Sequence, residues 1–430
     1  MEWIDAATAA DRLGVKPATL YAYVSRGVLK RRHEGRRSLF DAAEIETLAR
    51  RGRPRGQPPE LVIESAITVL GLDRPYYRGH DALTLARTAT FETTAERLWT
   101  PDPVPAAPPP LRPAHSGSPA STGRLTDSSS VSPETGAATW EADAEAVRAA
   151  VVAQRGLPEP ILPLDRLQVI VTVLGAADLL RVQLDPVSVA ATGRRLIAGL
   201  VDALPAQASP EPARTGPIAG RLWTRLSPHP PSPALLHALE AALVLLADHE
   251  LAASTLAARV AASARADPYA VVLTGLGVLS GPLHGGASYA AEHLLTEVAR
   301  SSDAPRVIAD WVRRGRRIPG FGHSVYKNGD ARATTLLDLV AEAAPDHDRL
   351  AAARAVLAEA RRRRLPEPNI DFALATLAAV AGLAPGAGEA VFAVARTAGW
   401  LAHAMEEYAR DSLLRLRASY TGPPIPKPST

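Results

Sequence analysis

The sequence contains no cysteine. Disulfide bonds, thiolate nucleophiles and Cys-ligated zinc or iron–sulfur centres are therefore excluded, and a reducing compartment is compatible with the chain. Aromatic residues make up only 5% of the sequence and β-branched runs are few, which favours helices built from Ala, Leu and Arg over an extensive sheet. Long hydrophobic runs are missing too. The longest apolar stretch, 270–283, is interrupted by Thr274, Gly275, Gly277, Ser280 and Gly281, and the opening MEWIDAATAAD lacks a basic n-region and an apolar h-region. The expectation is a cytoplasmic, mostly α protein with no membrane span and no metal site. What is present is bulk: 430 residues, 47% hydrophobic and 22% charged, enough for a sizeable core and two or three domains.

The formal net charge of +3 hides an asymmetry, because residues 1–59 hold 12 Lys and Arg against 7 Asp and Glu. That segment predicts an amphipathic helix over 6–13, a turn at Gly14-Val15-Lys16-Pro17 and a second helix over about 18–25, ending at Gly27. This is helix-turn-helix spacing. KRRHEGRRSLF follows as a short basic hairpin around Glu34-Gly35, then DAAEIETLARR as a third helix capped by Asp41 with Glu44 at the capping-box position. On the second helix Lys16, Thr19, Tyr21, Tyr23 and Arg26 are candidates to meet bases or phosphates, and Lys30, Arg31, Arg32, Arg36 and Arg37 to meet backbone charge. The competing reading is a solvated basic face on a unit used for packing or oligomerisation. LGVKPATLYAYVSRGVLKRR and RRSLFDAAEIETL resemble the winged helix-turn-helix of the MerR family over about the first 55 residues, which implies DNA as a partner.

RGRPRGQPPE breaks regularity and begins a linker. From 60 to 99 the pattern reads as helical after a short turn at DRPYYRG. Residues 101–139 are rich in Pro and Ser, cannot bury apolar surface and read as a disordered insertion. Helical periodicity resumes at Trp140 and runs to about Leu416, with a soft stretch at 209–217 and a Pro-rich tail. No internal repeat is evident.

Two histidines lie where a helical core residue would be out of place: His284 in LSGPLHGGAS and His323 in IPGFGHSVYK, each flanked by Gly and Pro. Either alone reads as a structural residue of a loop; two in such contexts point to a site. Asp248-His249-Glu250 ends an apolar run and by itself reads as an exposed helix end ahead of a good cap, Ser254. Asp371 after PEPNI reads as an N-cap or first-turn carboxylate. Arg396 shares a helical stripe with Phe392, Gly399, Trp400 and His403, so its guanidinium needs an anion, either a protein carboxylate or a bound acid.

The order DHELAASTLAARV, GLGVLSGPLHGGA, IPGFGHSVYKNGDARA, NIDFALATLA, ARTAGWLAHAMEEY and LRLRASYTG resembles the citrate synthase family, and YYRGHDALTLARTATFETTAERLW resembles its N-terminal region. The resemblance covers 60–99 and 140–422. It implies an all-α homodimer with large and small domains, here a body over 60–430 with the small domain at about 287–385, preceded by the winged helix-turn-helix at 1–55. It implies condensation of oxaloacetate with acetyl-CoA to citrate and CoA, with no cofactor beyond the co-substrate. Residue by residue, Asp371 would take a proton from the acetyl methyl, His284 would hydrogen-bond the thioester oxygen, His323 would activate the ketone and His249 would help hold oxaloacetate. Arg332, Arg396 and Arg415 would grip its carboxylates, the last from the partner subunit, and the backbone of Gly320, Phe321 and Gly322 would hold CoA. The chain departs from the family pattern at Ser288-Tyr289, where Asn-Glu is common, at Ala373-Leu374, where Tyr-Ser is frequent, and at Leu416, where Pro is usual. Two alternatives stand beside this: a 2-methylcitrate synthase using propionyl-CoA, and a DNA-binding regulator whose body senses oxaloacetate or acyl-CoA.

Overall fold

A computed structural model describes the chain except for residues 1–2, 14–19, 22, 25–28, 35–36, 43, 46–61, 101–139, 159, 209–213, 411, 416–421 and 423–430, and the side chains at 7, 11, 33, 34 and 37. The insertion expected to be disordered and nearly all of the Pro-rich tail lie outside the described residues. The chain divides into a small unit, 1–63 with 415–430, and a large unit, 64–414.

In the small unit, β1 (Trp3–Asp5), β2 (Arg31–Glu34) and β3 (Arg37–Asp41) form an antiparallel sheet in the order β1-β3-β2. The expected basic hairpin is present, with Glu34 opposite Arg37. α1 (Ala6–Leu13) starts where the Asp5 carboxylate accepts the Thr8 N–H at 2.8 Å. Ile4, Ala9, Ala10, Leu20, Leu29, Phe40 and Ile45 fill the small core. The Glu44 carboxylate accepts the Lys30 backbone N–H at 3.1 Å.

In the large unit the segment before the helices differs from the helical expectation. Thr68–Leu70 (β4), Pro75–Tyr77 (β5) and His80–Asp81 (β6) form an antiparallel meander. Its cause is local: Ile67, Thr68 and Val69 are β-branched, and Arg78 and Gly79 take φ of 45° and 87° to make the turn. The helices α2 (Ala82–Thr88), α3 (Phe91–Trp99), α4 (Ala144–Ala153), α5 (Pro163–Ala177), α6 (Pro186–Asp202), α7 (Ile218–Leu226), α8 (Pro233–Leu246), α9 (Ala253–Ser263) and α10 (Pro268–Leu279) come first. They are followed by α11 (Gly286–Glu297), α12 (Ala304–Arg313), α13 (Ala331–Ala343), α14 (Asp348–Arg362), α15 (Ile370–Ala381) and α16 (Ala387–Ala409). None of the described helices is long and apolar enough to cross a membrane.

Two apolar cores organise these helices. The larger surrounds α16, which is buried along its whole length except at Glu406 and Ala409. Its small residues, mostly Ala and Gly, let neighbouring helices approach, and its buried polar residues must find partners inside the core. The chain leaves this core at Trp99 and returns at Trp140, whose rings stack at 5.5 Å. The second core is built by α11, α12 and α14 with Ile318, Phe372 and Ala375. α12 shows why it docks there: Ala304, Val307 and Ile308 share its buried face, while Asp310 and Arg313 pair on the solvent side.

Candidate functional site

Between the two cores lies a cleft of about 1440 Å³, lined by His249, His284, Gly320, Phe321, Gly322, His323, Arg332, Asp371 and Arg396, among others. Segments spread over nearly 150 positions of sequence thus meet in one place. His249, His284 and the 320–323 loop arrive on short irregular stretches next to helices, Arg332 and Asp371 in the first turns of helices, and Arg396 from the middle of one. His249 lies in the turn after α8, whose last carbonyls are gathered by the Tyr77 hydroxyl, 3.1 Å from those of Val244, Leu245 and Asp248. Asp248 and His249 are buried, so the charged triplet is not an exposed helix end.

At the polar end of the cleft, His249 Nε2 lies 3.0 Å from the Tyr326 hydroxyl, and the His323 ring stacks on Tyr326 at 4.6 Å. His323 Nδ1 accepts the backbone N–H of Val325 and of Tyr326, at 3.0 and 3.1 Å. The proton of the neutral ring therefore belongs on Nε2, by assignment from this network. Burial, followed by Arg332, pushes the His323 pKa down to about 4. Burial also holds His249 well below its ordinary value, with Arg332 and Arg396 acting in the same direction. Both rings are neutral at pH 7.

Arg332 makes a two-pronged pair with Asp330, both contacts at 2.9 Å, from the start of α13. Burial pulls its pKa down, but Asp330 more than offsets this and keeps it above its ordinary value. Arg396, on α16, lies over the Phe392 ring at 4.7 Å and donates its Nε–H to the Leu246 carbonyl at 2.8 Å. Its Nη1 is buried with no acceptor among the described residues. Burial lowers the Arg396 pKa to about 10, so the charge remains. The nearest counter-charge is Asp248, which is also engaged by His403 at 3.3 Å. An anion in the cleft would satisfy the vacant donor.

On the apolar side, His284 sits in the turn between α10 and α11, its ring edge-on to Phe392 at 5.7 Å. Ser254 Oγ lies 2.7 Å from His284 Nε2 and accepts the Trp400 indole N–H at 3.2 Å. Because the indole only donates, the hydroxyl proton goes to Nε2 and the ring carries its own proton on Nδ1. Burial and then Arg396 push the His284 pKa down to about 4. Ser254 is thus not the helix cap expected from sequence; Ala252 stands at that position of α9. Asp371 lies in the first turn of α15, behind the N-cap Asn369. Burial pushes its pKa up to about 6, opposed by the Ser288 hydroxyl and by Arg332.

Gly320 and Gly322 take φ of 79° and 80°. A Cβ on Gly320 would stand 2.7 Å from Phe372 Cβ, so only glycine fits both the turn and the contact. The loop is fastened to the start of α15: Asn369 N–H donates to the Gly320 carbonyl at 2.9 Å, and Gly322 N–H to the Glu367 carbonyl at 2.8 Å. The structure therefore gathers His249, His284, His323, Arg332, Asp371, Arg396 and the glycine loop, whereas Arg415 is exposed and belongs to the other unit. Ser254, Ser288, Tyr326 and Asp330 were missed by sequence reasoning. Only Ser288 carried a signal, as a departure from the family pattern.

In the small unit Lys30, Arg31 and Arg32 are exposed on and beside β2. Arg31 lies 5.8 Å over the ring of Tyr21, and Arg32 the same distance over Trp3. Tyr23 is half-buried against the small core. Arg37 is in β3, while Lys16, Thr19, Arg26 and Arg36 lie outside the described residues.

Comparison with known proteins agrees with both units. A family model described as a helix-turn-helix domain matches residues 3–53. Citrate synthase 2 of Bacillus subtilis is 38% identical over 220 residues, 50% of this chain and 58% of that protein. The 2-methylcitrate synthase 1 of Corynebacterium glutamicum is 34% identical over 192 residues, 43% and 49% of the two chains. The chain thus spans about half the length of these curated relatives. The crystal structure of citrate synthase from Thermotoga maritima superposes with a TM-score of 0.65 at 25% identity, over 87% of this chain and 97% of that one. The citrate synthase of Thermoplasma acidophilum, solved as a ternary complex with carboxymethyl coenzyme A and oxaloacetate, shares the fold at a TM-score of 0.64 and 22% identity, over 86% and 96%. The model of the citrate synthase C-terminal domain matches residues 59–417, and the chain belongs to the citrate synthase family.

Proposed function

We propose that the large unit condenses oxaloacetate with acetyl-CoA and water to give citrate and CoA. The observation that carries this reading is the convergence of a buried carboxylate, Asp371, with two neutral imidazoles, His284 and His323, in a cleft that also holds the partly unpaired Arg396. A thioester methyl is a very weak acid, so its deprotonation needs a positioned base and simultaneous stabilisation of the developing oxyanion. Asp371 takes the methyl proton while His284 Nδ1–H donates to the thioester oxygen. The enol carbon then attacks the ketone carbon of oxaloacetate, whose oxygen takes a hydrogen bond and then a proton from His323 Nε2–H. Water cleaves the resulting citryl thioester and releases CoA. Arg332 and Arg396 hold carboxylates, with His249 beside them, and the Gly320–Gly322 loop holds the CoA chain. The segment 287–385 acts as the small domain, Arg415 reaches the site of the partner in a homodimer, and no further cofactor is required. The test is thioester consumption with acetyl-CoA and with propionyl-CoA, each with and without oxaloacetate. Oxaloacetate-dependent loss of acetyl thioester supports the reading, faster loss of propionyl thioester turns it into 2-methylcitrate synthesis, and no loss of either refutes it.

The exposed Lys30, Arg31 and Arg32 on a domain matched by a helix-turn-helix model favour a second activity, DNA binding by the small unit. In that reading the body also reports oxaloacetate or acyl-CoA to the DNA-binding unit.

A further inference from the structure

We propose that Ser288 is a positioning residue for Asp371: its buried hydroxyl holds Oδ1 of the ionised carboxylate and leaves Oδ2 to take the proton. The proposal rests on the reading of Asp371 as the base. Ser288 is fully buried in the first turn of α11, and Asp371 lies in the first turn of α15. These helix starts are joined at the cleft by the contact from Ser288 Oγ to Asp371 Oδ1, at 2.6 Å, the length of a hydroxyl donating to a charged oxygen. α16 closes the space behind it, since a Cβ on Gly388 would stand 3.3 Å from Ser288 Cβ.

The surroundings make this hydroxyl matter. Arg332 and Asp330 face Asp371 from the start of α13, one favouring and the other opposing its charge. Arg332 is already paired to Asp330 through two contacts, so little of its charge is left for Asp371. From α16, Glu389 faces both Asp371 and Glu292 of α11, and burial pushes both of these glutamates up, Glu389 to about 7. His284, ahead of α11, is neutral. The charges that act most on Asp371, those of Arg332 and Asp330, stand on neither α8 nor α14. Ser288 is therefore the neutral donor that favours the ionised base among groups that mostly oppose it. It also stands where the chain departs from the family's usual Asn.

The experiment compares full-length wild type with Ser288→Ala, Ser288→Cys and Ser288→Thr, following thioester absorbance for kcat/KM of acetyl-CoA from pH 5 to 9. Removing the donor should raise the pH at which activity falls on the acid side by about one unit, because a hydrogen bond to an ionised group is worth roughly a tenfold change in its ionisation. Ser288→Thr, which keeps the hydroxyl, should retain the wild-type profile. A role confined to packing would lower activity equally at every pH. A folded Ser288→Ala with an unmoved acid limb overturns the proposal. Should that variant fail to fold, Ser288→Cys, with its weak S–H donor, must move the limb upward, and an unmoved limb there also overturns it. Asp371→Asn separates the two levels: if it remains active the base assignment falls, whereas if it is inactive and the Ser288 variants do not shift, only the Ser288 proposal falls.

Discussion

His323 Nε2 and Arg332 Nη2 stand 3.4 Å apart, and both are donors. The imidazole has spent its acceptor on the amides of Val325 and Tyr326, and the guanidinium has none. Two N–H groups held toward each other do not form a hydrogen bond; they frame a place for an oxygen. A 2-oxo acid supplies two kinds in the right relation, a ketone oxygen for the imidazole and a carboxylate oxygen for the guanidinium.

If Asp371 is the base, as proposed, its ionisation sets the acid side of the activity profile. A base works only when ionised, and burial raises this carboxyl to about 6. kcat/KM for acetyl-CoA should be level above pH 7 and fall about tenfold per unit below pH 6. His284 and His323, pushed down to about 4, should add no limb of their own between pH 5 and 8. A steady-state pH series checks both statements.

Asp371→Asn should reduce turnover by roughly a hundredfold or more, the usual share of a positioned general base, while oxaloacetate binding measured by calorimetry stays nearly unchanged. A loss of less than about tenfold, or about 1.4 kcal/mol in barrier, would make the assignment wrong. The same variant should melt at a higher temperature. A carboxyl whose folded pKa is raised from 3.8 to about 6 destabilises the fold as pH rises through that window. The gain should therefore appear at pH 8, where the cost is on the order of 3 kcal/mol, and vanish near pH 4.

Arg396→Leu should weaken oxaloacetate binding by roughly 2–3 kcal/mol, or about 30- to 150-fold, since the substrate loses a charge-assisted partner. Acyl-CoA affinity should change much less. Equilibrium titration of the folded variant with each substrate decides it, and unchanged oxaloacetate affinity returns the guanidinium to capping the Leu246 carbonyl.

Deleting residues 1–55 should leave condensation intact and abolish DNA binding, because the basic surplus lies there and every candidate catalytic group lies beyond residue 240. For the intact protein, log affinity should fall by roughly 0.9 per phosphate neutralised for each tenfold rise in salt. An intact protein without DNA affinity at low salt removes the second activity, and a folded but inactive truncation makes the small unit part of the working enzyme.

The residues that announced themselves were those whose contexts conflict with ordinary packing. His284 and His323 stand among Gly and Pro, and Arg396 on an apolar helix face, and all three reach the cleft. Less could be read where a role depends on a partner far along the chain. Ser254 has the composition of a helix cap, and nothing nearby shows that His284, 30 positions on, takes its hydroxyl. Tyr326 and Asp330 are equally silent until His249 and Arg332 are placed against them. In the fold, the helix over 6–13 and the helical character of the stretch from Trp140 onward were legible, whereas the strands after residue 67 have two or three residues and give periodicity nothing to count.

The fastening of the Gly320–Gly322 loop to the head of α15 determines what a closing motion can and cannot change. With the Gly320 carbonyl held by Asn369 and no room for a Cβ above Phe372, the loop and Asp371 form one piece of the molecule. Asp330 joins Arg332 to the same piece by accepting the Ile370 N–H at 3.0 Å, so an opening or closing motion would change its distance to Arg396 and His249 and leave its internal spacing as it is. In the proposed reading a thioester seated on the loop would keep its register with Asp371 through such a motion, and Arg396 and His249 would be the groups whose distance to it changes.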